Sequence, residues 1–361
     1  MTAGAVIVGG GFAALEVALA LRKQDSTIQV RVIASESEVV YRPRLIRVPA
    51  GGGQAPVIPS ARLLATAGVE VTLGRVAAAD FERRQVRLES DAQIDYDQLV
   101  VATGALADRG RLPGAREHAL FPCDLDDAAE FAARVSAGVA RVAVVFGWER
   151  PGPGLEYAAW IAARRRDVAV TAIDGDGTMA RRFGDRATAW TRELFERRGA
   201  QLVTEGTVGR IGDGTVELAG RMIEADLIAV VAPLSGNTDW LPQAVLDERG
   251  MLRVDSAMAA RDGVFGIGDV VAVPEGYRLP PTLRSIQATA AGVARNVAAA
   301  LRGVAVQAIL RTDLPDLMGP DLAGAALLVR DRRLILRGRL PLLIREAGER
   351  RYLRSRSAPR V

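Results

Sequence analysis

Apolar residues along this chain follow two rhythms. Short runs rich in β-branched residues, at 5–8, 28–33, 98–101, 142–146, 168–173, 226–231 and 264–267, predict buried strands. Longer stretches rich in Ala and Leu, at 12–21, 126–135, 155–165, 191–198 and from Thr282 to about Leu301, predict helices. Alternation at 69–73 and 85–88 predicts antiparallel strands, and 201–203 and 215–218 read as further strands. A strand, a Gly-rich turn, a helix and a second strand occur twice, about 135 residues apart, an internal repeat of a whole α/β unit. The tail predicts a hairpin over 323–336, turning at Asp331-Arg332, and then a basic amphipathic segment. Leu340, Leu343, Ile344 and Ala347 recur there at near-helical spacing among Arg345, Arg350, Arg351 and Arg354. The expectation is a helix docked on the protein's own core with its arginines in solvent, shortened by Pro341 and Gly348. The competing reading lays it on an anionic membrane surface.

Composition narrows the chemistry. A chain of 361 residues with 49% hydrophobic residues holds two or three domains with sizeable cores. The net charge of +4 argues weakly for nucleic acid, and Lys23 is the sole lysine. One cysteine, Cys123, excludes an intramolecular disulfide or a thiol-pair relay, and its expected role is a small buried residue. One histidine, His118, excludes a His-rich metal site, and no metal is expected. No apolar run of about 18 residues is present, so the expectation is a cytoplasmic protein without a membrane span, with peripheral contact at the inner face of the membrane as the alternative.

The candidate chemistry lies in the turns. Gly9-x-Gly11-x-x-Ala14, between a strand and a helix, is the dinucleotide fingerprint. Gly9 permits the turn, Gly11 admits a pyrophosphate, Ala14 lets helix and strand approach, and the helix amides face the phosphates. Glu36, just past the second strand, is the candidate for the adenosine ribose. Arg42 and Arg44 could reach phosphates or a flavin edge, or serve only a connector. Residues 98–104 end a strand in Ala102-Thr103-Gly104, and 263–269 end one in Gly268-Asp269.

The second repeat departs from the pattern. Gly154 stands at the third glycine, but counting back places Pro151 and Glu149 at the other two positions. Proline offers no amide, and a carboxylate repels phosphate. Alternatively the turn from Gly147 to Gly154 carries extra residues and loops differently. Asp174, at the next strand end, reads either as a ribose acceptor that rejects a 2′-phosphate or as a loop cap.

Three motifs in order, 9–16, 99–104 and 263–269, resemble the two-dinucleotide-domain flavoprotein reductases of the glutathione-reductase-like superfamily. The opening GGGFAALEVA, Tyr41-x-Pro43, Pro280-Pro281-Thr282 and the tail are similar to type II NADH:quinone dehydrogenases. Arg284 and Gln287 depart from the glutamines many of those enzymes carry beside flavin and quinone. The resemblance implies an α/β fold of two Rossmann-like domains plus a small C-terminal α+β domain. The FAD domain would be discontinuous, 1–112 and 250–302, around an NAD-binding-like domain, 113–249, with 303–361 as the C-terminal domain. It implies FAD on Gly9, Gly11, Phe12, Ala13 and Ala14, with Glu36, Arg44, Ala102, Thr103, Gly104, Gly268, Asp269 and Thr282 also contributing. It implies NADH on Gly154, Glu156 and Asp174, with Glu156 near the nicotinamide.

The expected function is hydride transfer from NADH to FAD, with electrons passed to a quinone or another small-molecule acceptor. The alternative is an FAD enzyme with a degenerate NAD site acting on a small organic substrate. A third reading is a binding or signalling flavoprotein without turnover. Sulfide oxidation by a cysteine pair is not available to a chain with Cys123 alone.

Overall fold

The computed structural model describes residues 4–148, 150–277, 279, 283–312 and 317–357. Glu149, Pro280, Pro281 and Thr282 lie outside the described residues, as does the side chain of Arg284.

The Val- and Ile-rich runs build two parallel sheets. In the larger, Val264–Gly266, Gln98–Val101, Gly4–Val8, Gln29–Ala34 and Glu70–Leu73 lie side by side in that order, all parallel, with Ala259–Arg261 antiparallel at one edge. In the smaller, the order is Gln201–Val203, Ala169–Asp174, Arg141–Phe146 and Leu227–Val230, again parallel. Each carries an antiparallel meander before its returning strand: Val76–Asp80, Gln85–Leu88 and Gln93–Asp95 in one, Val208–Gly212, Thr215–Leu218 and Arg221–Glu224 in the other. The internal repeat is therefore a repeat of topology. One expectation is corrected: Glu70–Leu73 pairs parallel with Gln29–Ala34. Its alternation arises because it is an edge strand with one face in solvent.

Ala105–Ala107 and Leu234–Gly236 pair antiparallel and form the two-stranded connection between the units. The first helix, Phe12–Gln24, packs on the long helix Leu283–Leu301 through small residues, Ala14 and Ala18 from one and Ala290 and Ala294 from the other. Leu15 and Leu21 are fully buried in that core, each contributing about 1.5–3 kcal/mol.

A 3-10 segment, Arg42–Ala50, crosses from the first unit to bury Leu45 and Ile46 in the core of the second. Ala326–Arg330 and Arg333–Gly338 form the tail hairpin, its turn set by positive φ at Asp331 and Arg332. The last helix, Arg339–Arg356, runs uninterrupted. Pro341 falls in its first turn, where the missing amide costs no hydrogen bond. Gly348 is tolerated on an exposed face. Its orientation reverses the expectation: Arg345, Glu349, Tyr352 and Arg356 face the protein, while Leu340, Leu343 and Ile344 are more than half exposed. No helix among the described residues is long and apolar enough to cross a membrane.

Candidate functional site

The three sequence motifs converge at the carboxyl edge of the larger sheet. Val8 pairs with Ile33 on one side and Val101 on the other, so the first turn sits where strand order reverses. Gly9 has φ 142°, and a Cβ there would lie 2.2 Å from the Ala102 carbonyl oxygen, so this approach requires glycine. A Cβ on Gly268 would lie 2.9 Å from the Ala13 Cβ, which brings the third motif onto the start of the first helix. Asp269 follows, exposed.

Gly11 caps that helix with φ −90° and open space within 4 Å of the Cβ position. The helix's first amides have no intrahelical acceptor and point into that space. A cavity beside them is lined by Gly9, Gly10, Gly11, Ala34, Glu36 and Leu64. These residues fit the pyrophosphate and adenosine side of FAD: donors at a helix N-terminus, room over Gly11 and a carboxylate at the far strand end. Thr103 and Gly104 turn towards the second unit. The Thr103 hydroxyl donates to the Asn237 carbonyl at 2.7 Å, and the Asn237 amide donates to Gly104 O at 3.2 Å. Asn237 was not singled out by the sequence, because nothing local distinguishes it from a loop asparagine.

The second turn is built differently. Gly147 also has φ 142° and follows its strand as Gly9 does, so it is the counterpart of Gly9, and the longer-turn alternative is the one observed. Gly154 keeps the close-packing role, since a Cβ there would lie 2.2 Å from the Phe146 Cβ. Several of the described amides are spent or missing, while Gly152 keeps its own with open space around it. Trp148 N–H donates to Asp176 at 3.2 Å and Arg150 N–H to Gly147 O at 3.0 Å. Pro151 and Pro153, both in the first helical turn, have none. In this arrangement the described residues of the second turn offer a pyrophosphate fewer amides than those of the first.

Of the NAD-side carboxylates, Asp174 takes the cap reading and Glu156 is engaged by the last helix. Asp174 is fully buried, and its carboxylate accepts the amides of Thr178 (3.1 Å) and Met179 (2.8 Å), capping the helix Thr178–Phe183. It turned inward because that helix, absent from the sequence reading, presents amides to it. Burial pushes its carboxyl up to about 6, against the amides that pull it down. Asp176, which the sequence reading missed, is held below its ordinary value by Thr178, Trp148 and Arg181 in spite of its burial.

Glu156 is 7% exposed; it contacts the Arg345 guanidinium of the last helix and accepts the Asp321 amide at 2.7 Å. Burial raises its pKa, while Arg345 and the amide oppose the rise. The expected cofactor role of Arg44 meets the same helix: its guanidinium pairs with Glu349 at 2.7 Å. Arg42 donates to Cys123 O at 3.2 Å. Burial of Cys123 raises its thiol pKa, which keeps it protonated.

Glu16 occupies in the first helix the place Glu156 occupies in the second, two residues beyond the small residue that packs on the strand. It too is taken by the last helix, accepting Arg356 Nε at 2.9 Å and Nη2 at 2.7 Å and the Tyr352 hydroxyl at 3.0 Å. Tyr352 stacks at 6.1 Å from both Phe12 and Tyr41. Burial raises the hydroxyl pKa of Tyr41 to about 12.

Residues 4–295 match the model of the pyridine nucleotide-disulphide oxidoreductase family. The chain belongs to that family. It is an enzyme of the FAD-dependent NAD(P)H oxidoreductase class, FAD is its cofactor, and relatives in the family work with FAD and NADH. It is 33% identical over 283 residues to the biphenyl dioxygenase system ferredoxin–NAD(+) reductase component of Paraburkholderia xenovorans, covering 74% of this chain and 67% of that one. It is 29% identical over 302 residues to the chlorobenzene dioxygenase ferredoxin reductase component of a Cupriavidus strain, covering 80% and 72%. Its fold is similar to that of the sulfide:quinone oxidoreductase of Aquifex aeolicus, with TM-score 0.84, 20% identity and coverage of 98% of this chain and 91% of that one. It is also similar to the ferredoxin reductase for the CYP199A2 system from Rhodopseudomonas palustris, with TM-score 0.71, 23% identity and coverage of 90% and 81%. The two-dinucleotide-domain architecture is thus the architecture of the family's reductases.

Proposed function

We propose that this reductase accepts a hydride from NADH and passes the electrons one at a time to a carrier protein of the ferredoxin class. FAD, when bound, supplies the conversion from a two-electron donor to one-electron transfer. Per turnover, one NADH yields NAD+, two carriers each gain one electron and one proton is released. The observation that carries this reading is the 33% identity to a ferredoxin–NAD(+) reductase across most of the region that holds both dinucleotide units. Ferredoxin replaces a quinone as the favoured acceptor, because the likeness to a quinone-reducing enzyme is one of fold at 20% identity.

The chain's own part is positional. Gly9 and Gly268 close the backbone around the first turn, the first helix presents its amides to the pyrophosphate, and Glu36 stands at the adenosine end. Asn237 ties the Thr103–Gly104 turn to the second unit, fixing the distance between the two units at the cleft. Asp176 places negative charge at the second strand end, which opposes a 2′-phosphate and favours NADH over NADPH. The experiment is anaerobic steady-state turnover with NADH against ferredoxin, a soluble quinone and dioxygen in parallel. Fastest turnover with ferredoxin supports the reading, and fastest turnover with the quinone replaces it.

A second reading is favoured by one observation, the prolines Pro151 and Pro153 that leave the start of the second helix short of amides. It is an FAD enzyme that takes electrons from a small organic substrate in the second cleft. Flavin that stays oxidised with NADH and bleaches with such a donor would select it.

A further inference from the structure

We propose that the open edge of the tail hairpin is a peptide-docking groove that takes an extended acidic segment of a partner protein as an added strand. The hairpin sheet runs in the order Leu317–Met318, Ala326–Arg330 and Arg333–Gly338, so Arg333–Gly338 is an edge strand. Beyond its pairing with Ala326–Arg330, its backbone meets no backbone partner among the described residues. An edge of this kind presents unpaired amides and carbonyls to another chain.

The edge faces the helix Asp185–Glu196 across an open groove of about 370 Å³. Arg186, Ala189, Trp190 and Glu193 line it from the helix, and Leu334 and Arg337 from the strand. The four helix residues are spaced i, i+3, i+4 and i+7, so they form one stripe about 10 Å long. Leu334 and Arg337 would point to opposite faces of a regular strand. A bulge at Ile335 prevents this: Leu334 pairs with Val329 and Arg337 with Leu327, which places both on one face. A Cβ on Gly184 would lie 2.3 Å from the Arg332 carbonyl oxygen, so the helix start and the hairpin turn meet at one corner of the groove.

Charge selects the occupant. Trp190 and Leu334 are packed against the core of the second unit and form an apolar floor. Arg186 and Arg337 are exposed, and their guanidinium groups have no ion-pair or hydrogen-bond partner among the described residues. Glu193 is paired with Arg197 at 3.6 Å. A second copy added at this edge would bring Arg333 and Arg337 of both chains together, and like charges facing each other across strands are destabilising. The charges that bar a second copy favour a strand bearing carboxylates. Backbone pairing would supply affinity, an apolar side chain would rest on Trp190 and Leu334, and acidic side chains would pair with Arg186 and Arg337.

The test uses the FAD-loaded full chain and a fluorescein-labelled hexapeptide alternating glutamate and valine, read by fluorescence anisotropy at low salt. A lysine–valine counterpart and a fully N-methylated form, which keeps the carboxylates but lacks the amide donors, are the controls. The expected result is saturable binding of the acidic peptide with a Kd below about 1 mM, weakened at least about tenfold by Arg186→Glu combined with Arg337→Glu. Neither control should bind. Hydrogen exchange of the wild-type protein is the second measurement: the acidic peptide should slow exchange of the amides of 333–338. Absence of saturable binding, or unchanged affinity in the double variant, would overturn the site. Equal binding of the N-methylated form, or unchanged exchange at 333–338, would leave a charge contact and overturn strand addition. A wild-type dimer that becomes a monomer in the double variant, read by sedimentation velocity, would give the edge to a second copy and overturn the acidic partner.

Discussion

Replacing Gly11 by valine separates the ligand site from the fold. The position has φ −90° and ψ −171°, extended backbone that any residue adopts, and a Cβ meets nothing within 4 Å. The stability of the apoprotein should therefore change by no more than about 0.5 kcal/mol, as for a surface substitution. The branched side chain fills the space over the helix amides, so a pyrophosphate loses at least two charge-assisted hydrogen bonds. At about 1.5–3 kcal/mol each, that is about 3–6 kcal/mol, or about 150- to 20,000-fold in FAD affinity. Gly9→Ala is the contrasting control: its Cβ would lie 2.2 Å from Ala102 O at φ 142°, costing the fold roughly 3 kcal/mol or more. Thermal melts of apoprotein and FAD titration by fluorescence quenching read the two effects separately. A Gly11→Val protein that melts normally and purifies with a full complement of FAD would refute the placement of the pyrophosphate.

Three further outcomes follow from the same contacts. Arg356→Ala leaves Glu16 buried without its partner and should cost about 3–5 kcal/mol, read by chemical denaturation of the apoprotein. Asp174 has a folded pKa of about 6 above an ordinary value of 3.8, so the folded state holds its proton more tightly; its contribution to stability is full below the ordinary value and is lost as pH rises through about 6. The loss reaches up to about 3 kcal/mol, so the stability difference between wild type and Asp174→Asn should change by up to that amount between denaturation at pH 4 and at pH 7; a constant difference would deny the shift. Asp176→Asn should narrow the ratio of NADH to NADPH rates, and an unchanged ratio would remove the second strand end from nucleotide selection.

What the sequence disclosed and what it hid divide along chain distance. Gly9, Gly104 and Gly268 were legible because positive φ or close approach restricts residue type locally, whereas Gly11 and Ala14 were legible only from their spacing to Gly9. The turn at Asp331-Arg332 was legible for the same reason. Asp174 was half legible: its place at a strand end is local, but its direction depends on a six-residue helix that has little periodicity of its own. Glu156 and Arg345 lie 189 residues apart, and Glu16 and Arg356 lie 340 apart. No local pattern pairs them. The last helix misled because its leucines mark an amphipathic face, and apolar faces ordinarily turn inward. Here the buried carboxylates of Glu156 and Glu16 draw Arg345 and Arg356 inward instead, and the helix's own Glu349 faces Arg44.

The central claim is that electrons enter from NADH and leave to a one-electron carrier protein. The most direct measurement is the flavin absorbance of the purified holoprotein under anaerobic conditions, first with NADH and then with oxidised ferredoxin. The account predicts bleaching by NADH and return of the oxidised band as ferredoxin is reduced. A flavin that stays oxidised with NADH would contradict it.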